Sequence, residues 1–141
     1  MKILNISNNN LKSSTICEVI PTLANLEKLN LSNNHLEVLE FSKENNNLFH
    51  LELDSNKITS LEFNIELPNL NYLSISNNKI EEIKNSENLR SLEFLMANDN
   101  FFQKAEFIEN LPNLRVIGLK NNSINKFKIN NPELFQNLEI M

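Results

Sequence analysis

The sequence predicts an α/β solenoid, a single domain over residues 1–141 in which short repeats stack and their parallel strands form one concave sheet. Three observations support this prediction. An eleven-residue pattern recurs through the chain, apolar and polar residues alternate inside each copy, and an asparagine follows the alternating segment at nearly constant spacing. A chain of 141 residues is long enough to bury a substantial core.

The recurring pattern is L-x-x-L-x-L-x-x-N-x-L, in which Met, Ile, Ala or Phe sometimes replaces leucine. Its copies occupy residues 1–11, 26–36, 48–58, 70–80, 92–102 and 114–124, and a truncated copy begins at about residue 138, with Ile140 in its third place. The asparagines of the pattern are Asn9, Asn34, Asn56, Asn78, Asn100 and Asn122, and after the first interval of 25 they are 22 residues apart. Regular self-similarity of this length is typical of repeat architectures.

The middle of each copy predicts a short strand. Its two leucines are two residues apart and therefore point to one face, while the residues between them point to the other. Strands repeated every 22 residues can stack as a parallel sheet. The second half of each repeat then supplies the crossover that parallel strands require.

The pattern asparagine is expected to be structural. Where the chain turns inward after the strand, backbone groups lose their ladder partners, and a buried unpaired group costs about 1–3 kcal/mol. An asparagine amide both donates and accepts hydrogen bonds, so a column of asparagines can satisfy these turns. Asn77, which precedes the pattern asparagine Asn78, is interpreted as a solvent-facing residue.

The crossovers are predicted to be extended or single-turn helical segments on the convex side, because they are too short for full helices. Apolar and polar residues alternate in them, as in Leu61–Phe63, Leu39–Phe41 and Phe127–Ile129. Two longer crossovers predict short helices at about 15–20 and 132–136. The first begins with a capping box of Thr15 and Glu18, and the second has Asn131 as N-cap before Pro132.

The pattern and its spacing closely resemble the leucine-rich repeat family over essentially the whole chain. The even 22-residue length resembles the short-repeat intracellular subclass, which includes regulatory subunits of protein phosphatases and splicing-associated proteins. The resemblance implies a right-handed coil with a concave parallel sheet. It also implies a protein partner, bound by the variable residues of the concave face.

Composition and motifs argue against other functions. The net charge is −5 and no run of basic residues occurs, which argues against nucleic acid or an anionic membrane as the main partner. The only glycine is Gly118, so there is no glycine-rich phosphate loop, and the single cysteine Cys17 leaves a metal site without ligands. No catalysis, cofactor or metal is expected. With no signal-peptide pattern at its start, the chain is predicted to be cytoplasmic.

The concave face is the expected binding surface, and it divides into a polar and an apolar half. The predicted contact residues are Lys28, His50, Glu52, Asp54, Tyr72, Phe94, Met96 and Val116. Grouped exposed aromatic residues often anchor protein interfaces. The substitution Phe94→Asp is therefore expected to abolish partner binding with little change in melting temperature.

The sequence leads to a protein-interaction scaffold as the predicted function. Two alternatives stay open: a targeting or regulatory segment of a larger enzyme, such as a kinase, ubiquitin ligase or phosphatase assembly, and a purely structural spacer. Because polar caps are missing from both ends of the array, end-to-end self-association is a further expectation.

Overall fold

A computed structural model describes residues 1–41 and 45–141. In these ranges, seven short parallel strands form one sheet, the main sheet. Their bounds are β1 Ile3–Asn5, β2 Lys28–Asn30, β3 His50–Glu52, β5 Tyr72–Ser74, β7 Phe94–Met96, β8 Val116–Gly118 and β9 Glu139–Ile140. Each of the first six strands spans the third to fifth places of its pattern copy, which confirms the α/β solenoid.

The core lies between the main sheet and the convex segments. The middle residue of each inner strand is buried, as in Leu51, Leu73 and Leu95, which are 0% exposed. In-register pairing joins these leucines across neighbouring strands. Each repeat therefore covers the apolar face of its neighbour, and the core is a continuous column along the solenoid.

The pattern asparagines join consecutive repeats. The Asn78 amide donates to the carbonyls of Leu53 at 3.0 Å, Ile75 at 3.1 Å and Ser76 at 3.2 Å, and it accepts the Ile58 N–H at 3.1 Å. The equivalent contacts recur at Asn34, Asn56, Asn100 and Asn122. Each of these side chains satisfies backbone groups of its own repeat and of the preceding one.

The residue just before each pattern asparagine also has a backbone role that the sequence interpretation missed. All six of these residues have positive φ angles between 54° and 57°, namely Asn8, Asn33, Ser55, Asn77, Asp99 and Asn121. Asparagine and aspartate tolerate this left-handed region better than most residues because their short polar side chains bond locally. The Asn77 side chain is exposed, as expected, but its conformation explains why the pattern contains paired amides.

The convex side is built from short segments, as predicted. A two-stranded parallel sheet pairs β4 Leu61–Glu62 with β6 Ile83–Lys84, and single 3₁₀ turns cover Ser86–Asn88 and Glu106–Asn110. Helix α1 spans Ser13–Val19 and continues as a 3₁₀ turn at Ile20–Thr22.

The helix-capping predictions were partly wrong. Helix α1 starts two residues before Thr15, and its N-cap is Lys12, with no side-chain capping bond. The Ser13 hydroxyl is engaged elsewhere, since it accepts the N–H groups of Glu37 and Val38, each at 2.9 Å. The second helix is a 3₁₀ turn at Pro132–Phe135; Asn131 is its N-cap but makes no side-chain capping bond either.

The register of the last strand also differs from the prediction. Glu139 pairs with Val116, and Ile140 pairs with the core residue Ile117. Ile140 therefore stands in the fourth place of the pattern, not the third, and Glu139 ends the third-place column. The backbone sets this register, because the Glu139 N–H donates to Arg115 and the Met141 N–H to Ile117, both at 2.8 Å.

No helix within residues 1–41 and 45–141 has the length and apolar character needed to cross a membrane.

Candidate functional site on the concave face

The face of the main sheet that points away from the core is the concave face. It displays the third, fifth and seventh places of each repeat, because successive side chains of a strand point to opposite faces. All eight predicted contact residues lie on this face, where pairing aligns His50, Tyr72, Phe94 and Val116 in one column and Glu52, Ser74 and Met96 in the next.

Three rings form a ladder across the centre of the concave face. The rings of His50 and Tyr72 stack nearly parallel, with centroids 4.4 Å apart and planes 5° from each other. The ring of Phe94 follows at 6.4 Å from Tyr72, tilted by 34°. All three side chains are half-buried because each shields its neighbour, whereas the sequence suggested exposed aromatic residues. The ladder is thus a fixed surface in which little side-chain freedom is left to lose on binding.

Next to the ladder, Glu52 is held from two sides. Its Oε1 lies 2.6 Å from the Nε2 of His50, and its Oε2 accepts the Asn30 amide at 2.7 Å. Asn30 itself is fixed, since its Oδ1 accepts the Ser32 N–H at 2.9 Å. The carboxylate therefore has a defined position beside the ring ladder.

Asp54 is the second carboxylate of this region and is more enclosed. Its Oδ1 accepts the Ser74 hydroxyl and the Ser76 N–H, both at 2.7 Å. Burial raises the pKa of Asp54, the nearby Glu52 charge raises it further, and the two hydrogen bonds oppose this shift. Among the described residues Asp54 forms no ion pair, so its negative charge is not neutralised within this part of the chain.

The variant Asp54→Asn is expected to melt at a higher temperature than wild type near pH 7. Because the folded-state pKa is raised, the folded protein holds this proton more tightly than the unfolded chain does. The ionised carboxylate therefore costs stability above the folded pKa, and the cost disappears below the unfolded pKa of about 3.9. Melting curves of both proteins at pH 7 and pH 3 test this. An equal difference at both pH values would contradict it.

A similar side-chain bridge occurs in the apolar half. The Asn98 Oδ1 accepts the Lys120 N–H at 2.8 Å. Asp54 accepts the Ser76 N–H in the same way, so in both cases a seventh-place side chain bonds the seventh-place N–H of the following repeat. Gly118 makes room for it, since a Cβ there would lie 2.9 Å from the Asn98 amide. Asparagine can thus replace aspartate in this bridge without loss of the backbone bond.

The concave face brings the predicted contact residues together on one side of the main sheet. The described residues contain no group of three His, Cys, Asp or Glu side chains placed to hold a metal ion. The predicted contact set did not include Asn30, Ser74 and Ser76, which orient the two carboxylates. Their signal was their place in the pattern, since they occupy the fifth and seventh places beside Glu52 and Asp54.

At the polar end of the face, Lys28 has turned away from the carboxylates. Its Nζ lies 5.3 Å from the centroid of the Phe49 ring, a cation–π contact. Lys28 belongs to the polar half of the concave face with Glu52 and Asp54, yet it forms no ion pair with either of them.

Comparisons with known proteins agree with this architecture. The family model described as Leucine Rich Repeat matches residues 1–23, 25–44 and 69–92. No curated protein sequence matches the chain.

Two solved structures share the fold over the whole chain. The APL1 leucine-rich repeat domain superimposes with a TM-score of 0.75 at 25% identity over 99% of this chain. A leucine-rich-repeat protein of Leptospira interrogans gives 0.55 at 24% identity over 100% of it. The chain spans only 35% and 48% of the lengths of these two structures. The matched model, the repeat register and the solenoid fold together place this chain in the leucine-rich repeat family.

Proposed function

We propose that the chain is a protein-interaction module that binds its partner on the concave face. Leucine-rich repeat domains in general mediate protein–protein interactions. The observation that carries the proposal for this face is the ladder of His50, Tyr72 and Phe94, continued by Met96 and Val116. These side chains are half-buried and fixed by their neighbours, so a partner can cover them at a small entropic cost.

The test replaces Phe94, the residue at the apolar end of the ladder. Phe94→Asp places a charge where a partner would bury apolar surface, and partner capture from extracts of the source organism is expected to be lost. Because the Phe94 ring packs against Tyr72, we expect a stability loss of about 1–2 kcal/mol. That expectation replaces the nearly unchanged melting temperature that the sequence suggested. Urea denaturation measures it.

Phe101→Asp is the matched control. Phe101 is 51% exposed and lies in the turn after β7, outside the concave face, so the same substitution changes net charge equally without touching the ladder. Proteins retained by wild type and by Phe101→Asp but lost by Phe94→Asp support the proposal. Equal retention by all three proteins would contradict it.

A further inference from the structure

We infer that the concave face recognises an extended polypeptide segment in which a basic side chain and an apolar side chain are about three residues apart. The basic group lies against Glu52 and Asp54, and the apolar group packs on Phe94 and Met96. This inference rests on the proposed function and specifies the chemistry of the partner.

The apolar part of the proposed site is the apolar half of the concave face. The half-buried side chains of Phe94, Met96 and Val116 adjoin one another on β7 and β8, and Gly118 adds no side chain that would cover them. On this half, Phe94 and Val116 occupy third places of the pattern, and Met96 occupies a fifth place. It therefore favours an apolar side chain of the partner.

The charged part of the proposed site consists of the carboxylates of Glu52 and Asp54. Glu52 and Asp54 are both held in place and partly removed from water. Glu52 contacts the His50 ring, but in the described part of the chain no lysine or arginine pairs with either carboxylate. Lys28 contacts Phe49 instead, and Lys120 is exposed at the opposite end of the face. A carboxylate that has lost part of its hydration is stabilised by the charge of a bound cation, and this gives the site its charge preference.

The strand register fixes the distance between the carboxylates and the apolar side chains of the proposed site. Glu52 pairs with Ser74, and Ser74 pairs with Met96, so the carboxylate and the apolar side chain are two strands apart. Strands are about 4.8 Å apart, which gives roughly 10 Å. An extended segment in the polyproline II conformation rises about 3.1 Å per residue and turns every third side chain to the same side. A segment that crosses the strands therefore reaches both parts with side chains about three residues apart.

Asp54→Asn is the variant that separates charge from shape. An asparagine there keeps an oxygen that can accept the Ser74 and Ser76 hydrogen bonds, as Asn98 does for Lys120 in the same fold. A melting curve confirms that the variant is folded. Binding changes can then be attributed to the lost charge.

The experiment pans a phage library of random linear peptides against the purified chain, with parallel panning against Asp54→Asn and Phe94→Asp. The expected peptides carry Arg or Lys about three residues from an aromatic or aliphatic residue. A synthetic peptide of the enriched sequence is expected to bind Asp54→Asn about tenfold more weakly, and the same peptide with citrulline in place of arginine should weaken similarly on wild type.

The outcomes distinguish this inference from the proposed function. Enriched peptides that lack a basic residue, or that bind Asp54→Asn as tightly as wild type, would overturn the inference, as would a panning that enriches nothing. If such peptides still lose binding to Phe94→Asp, the concave face stands as the binding surface. Peptides that bind Phe94→Asp and wild type equally would count against the proposed function as well.

Discussion

Asn78→Ala is expected to reduce the free energy of unfolding by about 3–5 kcal/mol, since each buried polar group left unpaired costs about 1–3 kcal/mol. The truncation leaves the carbonyls of Leu53 and Ile75 and the N–H of Ile58 without the side chain that satisfies them. Asn78 is 7% exposed, so water cannot readily replace the amide. Urea denaturation followed by circular dichroism measures the loss.

Asn9→Ala provides the matched control in the first repeat. Asn9 is exposed, and its amide donates only to the carbonyls of Ile6 and Ser7 in its own repeat. Water can solvate those groups after truncation, so we expect a loss below about 1 kcal/mol. Equal losses for the two variants would show that the inter-repeat bonds of Asn78 add nothing to stability.

Phe63→Ala is expected to cost about 3–5 kcal/mol, as large-to-small substitutions of fully buried aromatic residues do. Phe63 is 0% exposed and follows β4 on the convex side, where it fills the space behind the main sheet. Removing the ring leaves a cavity between repeats that the backbone cannot close, because neighbouring strands fix their separation. The same denaturation measurement tests it.

Phe127→Ala is the comparison for this prediction. The sequence grouped Phe63 and Phe127 as similar convex residues, but Phe127 is 46% exposed. We expect Phe127→Ala to change the unfolding free energy by less than about 1 kcal/mol. A loss comparable to that of Phe63→Ala would contradict the solvent exposure of the Phe127 ring.

Most of the fold was predictable because one pattern is repeated in phase. Leu73 and Leu95 are buried at equivalent places, and apart from α1 the described crossovers form only two-residue strands and 3₁₀ turns. Asn77 was interpreted only as a solvent-facing residue, because side-chain exposure does not reveal a left-handed backbone conformation. The preference for Asn, Asp and Ser before each pattern asparagine was a usable signal of it.

The candidate site was predicted in its residues but not in its contacts. Position in the pattern places Glu52 and Tyr72 on one face, yet side-chain rotamers decide that His50 bonds Glu52 while stacking on Tyr72. The sequence also does not determine whether the Lys28 side chain points to Glu52 or to Phe49. The last strand was misaligned by one residue because its copy is truncated and offers no asparagine to fix the frame.

The hydrogen bonds of the pattern asparagines have a direction along the chain. Asn78 reaches back to Leu53 and Ile58 of the preceding repeat, and Asn100 reaches back to Ile75 and Ile80 in the same way. The backbone of each such repeat is thus completed by the repeat translated after it. A solenoid assembled in this manner couples its units pairwise, so the boundary between two repeats, rather than the repeat itself, is the unit that opens when the array unfolds.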